Sequence, residues 1–282
     1  MLEEFEHLVR IPMKNKPLFV GVDESLQPEV IAKALHMDKK EVKANLEVKV
    51  NTKGFLLKLL LERDYTFLKA KSWEACYVAI ALAIYWIILF PNMDGFVDMV
   101  DISVFLTENL VPTLLEDVYY YMSHIYTKKK GMIACCAPLL YQWFLEHLLK
   151  TGVFVEQTDV SWPQRLGSLR SNDLSWYSRE YIGMEIIFSY GDFPNLPLTG
   201  TQGCINSNPV LSIRQLGYPM EGPPDASSLE AFLLIDLGIE NPSLFQRIKE
   251  AWKKFNRKGK ADLGRVNGIT KEPYFHWVRE RV

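Results

Sequence analysis

Apolar and polar positions alternate with a helical period over most of this chain. Beyond Pro138, Gln142, Glu146 and Lys150 stand four apart, while Leu139, Trp143, Phe144 and Leu148 fall on the other side. That spacing predicts a helix opened by Pro138 and closed by Gly152. Residues 111–126 predict a second helix. Asn241 and Pro242 supply an N-cap followed by proline at the first helical position. Leu244, Phe245, Ile248, Trp252 and Phe255 then make one stripe, so a helix is predicted from there to about Lys258. Glu272 and Pro273 open a last one. Strand signals are few, and "MEIIFSY" (184–190) is the best of them. The strand–helix rhythm of a parallel α/β sheet is absent. The expectation is a mainly α fold: an irregular multi-helix domain with at most one small β element and a long ordered Gly/Pro-rich loop.

Two segments have less ordinary patterns. "EACYVAIALAIYWIILFP" (74–91) is uncharged between its two end residues. It falls short of the roughly 20 apolar residues of a membrane span and is stopped by Pro91. A helix apolar all round belongs in a core, so Ile80→Asp is expected to be strongly destabilising. "EVIAKALHMDKKEVKANL" (29–46) reads as two short helices with Ile31, Leu35, Val42 and Leu46 turned inward. Asp38 caps the second, with Glu41 as its box partner. The layout resembles a helix-turn-helix, but His36 stands where glycine is common. Glu41 and Glu47 also dilute Lys39, Lys40 and Lys43, so a plain helical hairpin is expected over a DNA reader.

The loop is the stretch around "SYGDFPNLPLTGTQGCINSNPV". Residues 190–224 hold 5 of the 16 Gly and 6 of the 15 Pro, yet keep Tyr190, Phe193, Leu196, Leu198, Ile205 and Val210. That composition fits an ordered loop packed on helices better than a charged linker. Gly200 and Gly203 fit neither phosphate-binding glycine motif. Cys204 lacks a sequence-evident base and reads as a packed cysteine.

Composition narrows the chemistry further. The chain has 282 residues, 48% hydrophobic, with a net charge of -2, which suits a globular domain. The four cysteines form no C-x-x-C pair, and the five histidines are scattered, so no metal site and no cofactor is expected. Asp94, Asp98 and Asp101 could share a helix face but lack calcium-loop spacing, and read as caps and solvated surface residues. The acidic start lacks a targeting signal, so an intracellular protein with reduced thiols is expected.

One charge feature stands out. "RIKEAWKKFNRKGK" (247–260) carries seven basic residues and one acid. Lys249, Lys253, Lys254, Arg257, Lys258 and Lys260 form the candidate patch for an import receptor, nucleic acid or an acidic partner, with a solvated helix face as the plainer reading. Residues 242–282 hold eleven basic and four acidic residues, a net of +7 concealed by the chain total.

Several long stretches together resemble one plant family. They include "LEEFEHLVRIP", "LFPNMDGFVD", "VPTLLEDVYYY", "KKKGMIACCAPLLYQWFLEHL", "YGDFPNLPLTGTQGCIN" and "EPYFHWVRERV". The chain is similar, over nearly its whole length, to the plant-specific domain of unknown function related to the plant mobile domain, also labelled aminotransferase-like and associated with transposable elements. The resemblance implies a non-enzymatic nuclear interaction domain of mobile-element origin. A nucleic-acid-binding protein using 247–260, and perhaps 29–46, is the alternative. It also implies further segments before Leu2 and after Val282, so a truncated copy is expected. Residues 1–222 would form its helical core and 223–282 a basic helical segment of the same domain. The implied partner is a nuclear protein or nucleic acid, with no membrane and no small-molecule substrate. No pyridoxal-phosphate framework is visible behind the aminotransferase label.

Overall fold

The structure is a computed structural model. It describes residues 2–13, 27–49, 52–91, 93–128, 134–148, 159–170, 173–175, 181, 183–193, 195–201, 203–220, 222–224, 226, 233–234, 241–269 and 271–280. The chain mixes helices with three small antiparallel sheets, which corrects the expectation of a mainly helical fold with at most one β element. The strands were hidden because they are two to five residues long. Pieces that short carry too few alternations to register as a period.

One core lies in the N-terminal half. Helices α2 (Pro28–Ala34) and α3 (Lys39–Asn45) form the expected hairpin, and Ile31, Leu35 and Val42 are buried. His36 turns the corner at φ 51°, the left-handed region that favours glycine. Asp38 caps α3 by accepting from Lys40 N. Glu41 is not its box partner but pairs with Arg63. A sheet of β1 (Glu47–Lys49), β2 (Thr52–Leu56) and β3 (Phe96–Asp98) runs beside the hairpin. Gly54 is required there: a side chain would strike the Val97 carbonyl on the adjacent strand. Helices α4 (Leu57–Lys69) and α5 (Trp73–Ile84) close this layer as a second hairpin. A π-helical turn, Tyr85–Leu89, continues α5.

The larger core gathers α1 (Leu2–Val9), α6 (Met99–Thr107), α7 (Val111–Lys128), α8 (Ala137–His147) and α11 (Pro242–Trp252). Short helices α9 (Trp162–Gly167), α10 (Pro209–Gln215) and α12 (Lys260–Leu263), with terminal α13 (Glu272–Arg279), complete the helical set among the described residues. Helices α7 and α13 start where the sequence predicts. Helix α8 ends at His147, and Gly152, its predicted stop, lies outside the described residues. Strand β4 (Ile186–Tyr190) falls within the predicted 184–190.

Helix α1 explains how an acidic start becomes part of the core. Glu3 accepts from Ile187 N (2.7 Å), and Glu4 accepts from Trp143 Nε1 (3.0 Å) while lying 3.1 Å from His147 Nε2. Glu6 binds both Arg257 amino groups. Three carboxylates thus join α1 to β4, α8 and the strand after α11. Burial disfavours a charged His147, but the Glu4 hydrogen bond and the Trp143 carbonyl outweigh it and raise its pKa.

Helix α11 ends at Trp252 rather than at Lys258. The chain turns and becomes β8 (Phe255–Lys258), paired with β4 through a bulge between Ile187 and Ser189. A helix continued to Lys258 would stack like charges at 249/253, 253/257 and 254/258, each costing roughly 0.2–0.5 kcal/mol. Leaving the helix relieves those pairs and lets "FNRK" alternate: Phe255 is buried and Asn256 exposed. The segment after residue 222 also ties back to the earlier chain. Gly217 O accepts from Asn267 N and Gly268 N, and Met220 exchanges backbone hydrogen bonds with Ile269 and Lys271.

The second correction concerns 74–91. Ala75, Cys76, Ala79, Leu82, Ala83, Trp86 and Phe90 are buried, but the opposite side of the helix faces solvent. No helix among the described residues is long and apolar enough to cross a membrane.

Candidate functional site

The Gly/Pro-rich loop contains a β-hairpin. Strands β5 (Leu196–Thr199) and β6 (Cys204–Ser207) pair antiparallel, and β7 (Leu233–Leu234) adds to β6. The turn at 200–203 closes with Gly200 N donating to Gly203 O (2.8 Å). Trp252 anchors the hairpin from behind by donating Nε1–H to Pro197 O (2.9 Å). Its ring also packs edge-on to Tyr190. Cys204 is fully buried, and its thiol donates to Thr199 Oγ1 (3.3 Å), so no reactive thiol faces solvent at this loop.

Beneath the turn lies a pair of acids that the sequence reading missed. Glu116 and Asp117, in "VPTLLEDVYYY", are both buried on α7. Asp117 Oδ1 accepts from Thr201 N (2.7 Å) and from Thr201 Oγ1 (3.0 Å). Neither Glu116 oxygen has a donor. Gly200 sits so close to the Glu116 carboxyl that any side chain there would collide with it. Burial pushes both carboxyl pKa values up; the neighbouring Asp117 raises that of Glu116 further, while the Thr201 hydrogen bonds hold that of Asp117 back. A protonated Glu116 provides the donor its surroundings lack, with Asp117 as acceptor. Asp98 and Asp101 form the capping box of α6. Burial, then Asp98, raises the Asp101 pKa. Among the described residues no group of His, Cys, Asp and Glu could hold a metal ion. Glu116 and Asp117 are both buried, and burial favours the neutral carboxyl form there.

The basic residues singled out in the sequence have different partners. Lys249 lies 4.5 Å from the Phe245 ring, Lys258 lies 3.6 Å from the Phe188 ring, and Arg257 is bound to Glu6. Lys253 pairs with Glu250 at 2.6 Å. Lys253, Lys254 and Lys260 are exposed; the other three are half-buried.

An open apolar surface lies on the α4–α5 hairpin. Along α5 and its π turn, Trp73, Tyr77, Ile80, Ile84 and Ile87 are all exposed, Tyr77 to 66%. Their spacing is four, three, four, three, the seam spacing of packed helices. On α4, Leu61, Tyr65 and Leu68 repeat it at four and three. Cys76 Sγ donates to Asp64 Oδ1 (2.6 Å) and fixes how the two helices are rotated. With that rotation, helical spacing places both rows on the outward side of the hairpin. The signal was available in the sequence, since a helix apolar all round has two apolar faces and a core needs only one. A separate groove of about 530 Å3 beside α7 is lined by Tyr119, Tyr120, His124, Lys128 and Ile205.

A domain of unknown function, DUF7745, matches residues 1–282, and the chain belongs to that family. No curated protein and no solved structure matches it.

Proposed function

We propose that this chain is a non-enzymatic protein-interaction domain whose docking surface is the outward face of the α4–α5 hairpin. One observation carries the proposal: two rows of large apolar side chains at seam spacing stand in solvent on adjacent helices. The contrast with the loop supports it, because the thiol and the carboxyl pair there are enclosed by packing. The resemblance noted above extends the proposal to a plant protein of mobile-element descent that resides in the nucleus. The net positive charge of 242–282 is consistent with that location.

Nucleic-acid binding through 247–260 is the weaker reading. A phosphate-binding face needs free cations aligned along one surface, and here Arg257 and Lys253 are paired to carboxylates. The test uses a photoreactive phenylalanine at position 77, with Val30 as an exposed control position. In cells of the source organism a discrete protein adduct is expected from position 77 and lost on Ile84→Glu. No adduct, or the same adducts from both positions, overturns the proposal.

A further inference from the structure

We infer that the occupant of the α4–α5 face is a second copy of this chain, joined through a four-helix bundle built from two such hairpins. The inference rests on the interaction reading above and names its partner.

The first argument is geometric. Both helices of the hairpin present apolar side chains at alternating four and three spacing. That pattern suits a helical partner, because side chains repeating every 3.5 residues stay in register with an opposing helix pair. A lipid surface needs an apolar face but no such register. Two helices side by side make a two-ridged surface, and another two-ridged surface completes a bundle.

The second argument is area. The eight side chains are each about half exposed, or on the order of 100 Å2 apiece for residues of this size. Together they offer roughly 800 Å2, the share each partner contributes to a standard interface.

The third argument is charge and symmetry. The α5 row carries no charged side chain, so it selects neither an acidic nor a basic partner. A symmetric contact places a surface against itself, which suits the wholly apolar α5 row; on α4 the one charge over the row among the described residues is Lys69, 4.3 Å from the Tyr65 ring. The ends of α5 differ: Lys69, Lys71 and Glu74, net positive, stand at the α4–α5 turn and first turn of α5, and Asp94 stands beyond the C-terminal end, all exposed. Antiparallel pairing about a twofold near Ile80 brings Lys69 and Lys71 of one copy towards Asp94 and the negative helix end of the other. Trp73 then lies towards Ile87 of the other copy, and Tyr77 towards Ile84.

Sedimentation of the full chain at about 50 µM is expected to show a dimer that dissociates on dilution. Ile80→Glu combined with Ile84→Glu is expected to give a monomer with the circular dichroism of the parent. Under mild oxidation Ile80→Cys is expected to cross-link to its own kind. The four native cysteines are buried and compete little. Val30→Cys, exposed on α2, is expected not to cross-link. A monomeric parent, a dimer that survives the double substitution, or equal cross-linking from positions 30 and 80 overturns the second copy as occupant. So does a monomeric parent that floats with phospholipid vesicles. A monomeric parent that still gives the position-77 photoadduct in cells overturns self-association alone. Loss of dimer and adduct together overturns the interaction reading as well.

Discussion

The turn at 200–203 and the α4–α5 hairpin depart from the usual placement of polar and apolar residues in opposite directions. Under the turn, Glu116 and Asp117 are buried where apolar side chains would be expected. On the hairpin, isoleucines and aromatics stand in solvent. Thr201 satisfies one of the buried acids, and burial favours the neutral form of the other. The exposed apolar rows have no comparable internal remedy. Among the described residues nothing covers them, which is why the hairpin carries the functional proposal and the loop does not.

Substitutions at the two regions should therefore behave differently. The largest effect is expected behind the loop. Trp252→Ala removes a fully buried ring and leaves Pro197 O without its donor. A loss of about 3–5 kcal/mol is expected, read from the shift of a urea transition midpoint. A midpoint unchanged from the parent would mean that the hairpin does not depend on this anchor.

Gly200→Ala is next. Its methyl group would occupy the space of the Glu116 carboxyl, which is enclosed and cannot swing away. A loss of about 1–3 kcal/mol is expected by the same measurement. A neutral result would show that the turn is not seated on the acid pair.

Glu116→Gln should act in the other direction. The folded-state pKa of Glu116 is raised above its unfolded value. Its contribution is thus fully present below the unfolded pKa and is lost as pH rises towards the folded value. Gln keeps the shape, stays neutral and offers Asp117 an N–H without needing a proton. At pH 8 the variant is expected to be about 1–3 kcal/mol more stable than the parent, with the gap closing near pH 4. Parallel slopes of stability against pH would break the shared-proton account.

The smallest effect on the stability of the isolated chain is expected on the hairpin, and it replaces the expectation drawn from the sequence. Ile80 is 42% exposed, so Ile80→Asp should change the dilute-solution melting transition by less than about 1 kcal/mol. A loss comparable to that of Trp252→Ala would mean that the α5 row is buried after all, and it would remove the contrast between the two regions.

Much of the helical framework was legible in the sequence. Pro138, Asn241–Pro242 and Glu272–Pro273 mark helix starts because capping and proline preferences are local properties of a few neighbouring residues. The inward residues of the 29–46 hairpin and the strand near residue 186 were legible for the same reason: their periods are written within one element. The large apolar groups of the Gly/Pro-rich loop point to packing, and Leu196, Leu198 and Tyr218 are buried, but nothing in their order points to the β-hairpin inside it.

Tertiary structure alone decided the rest. "FNRK" could extend a helix or form a strand, and β4 and Glu6 on distant parts of the chain settle it as a strand. The order of residues does not state that Thr201 would reach Asp117, 84 positions away. Nor does it state which face of an all-apolar helix meets the core. Local preferences determine where a helix begins; only the packing of remote segments determines what each of its faces meets, because burial is a property of the assembled neighbours and not of the residue.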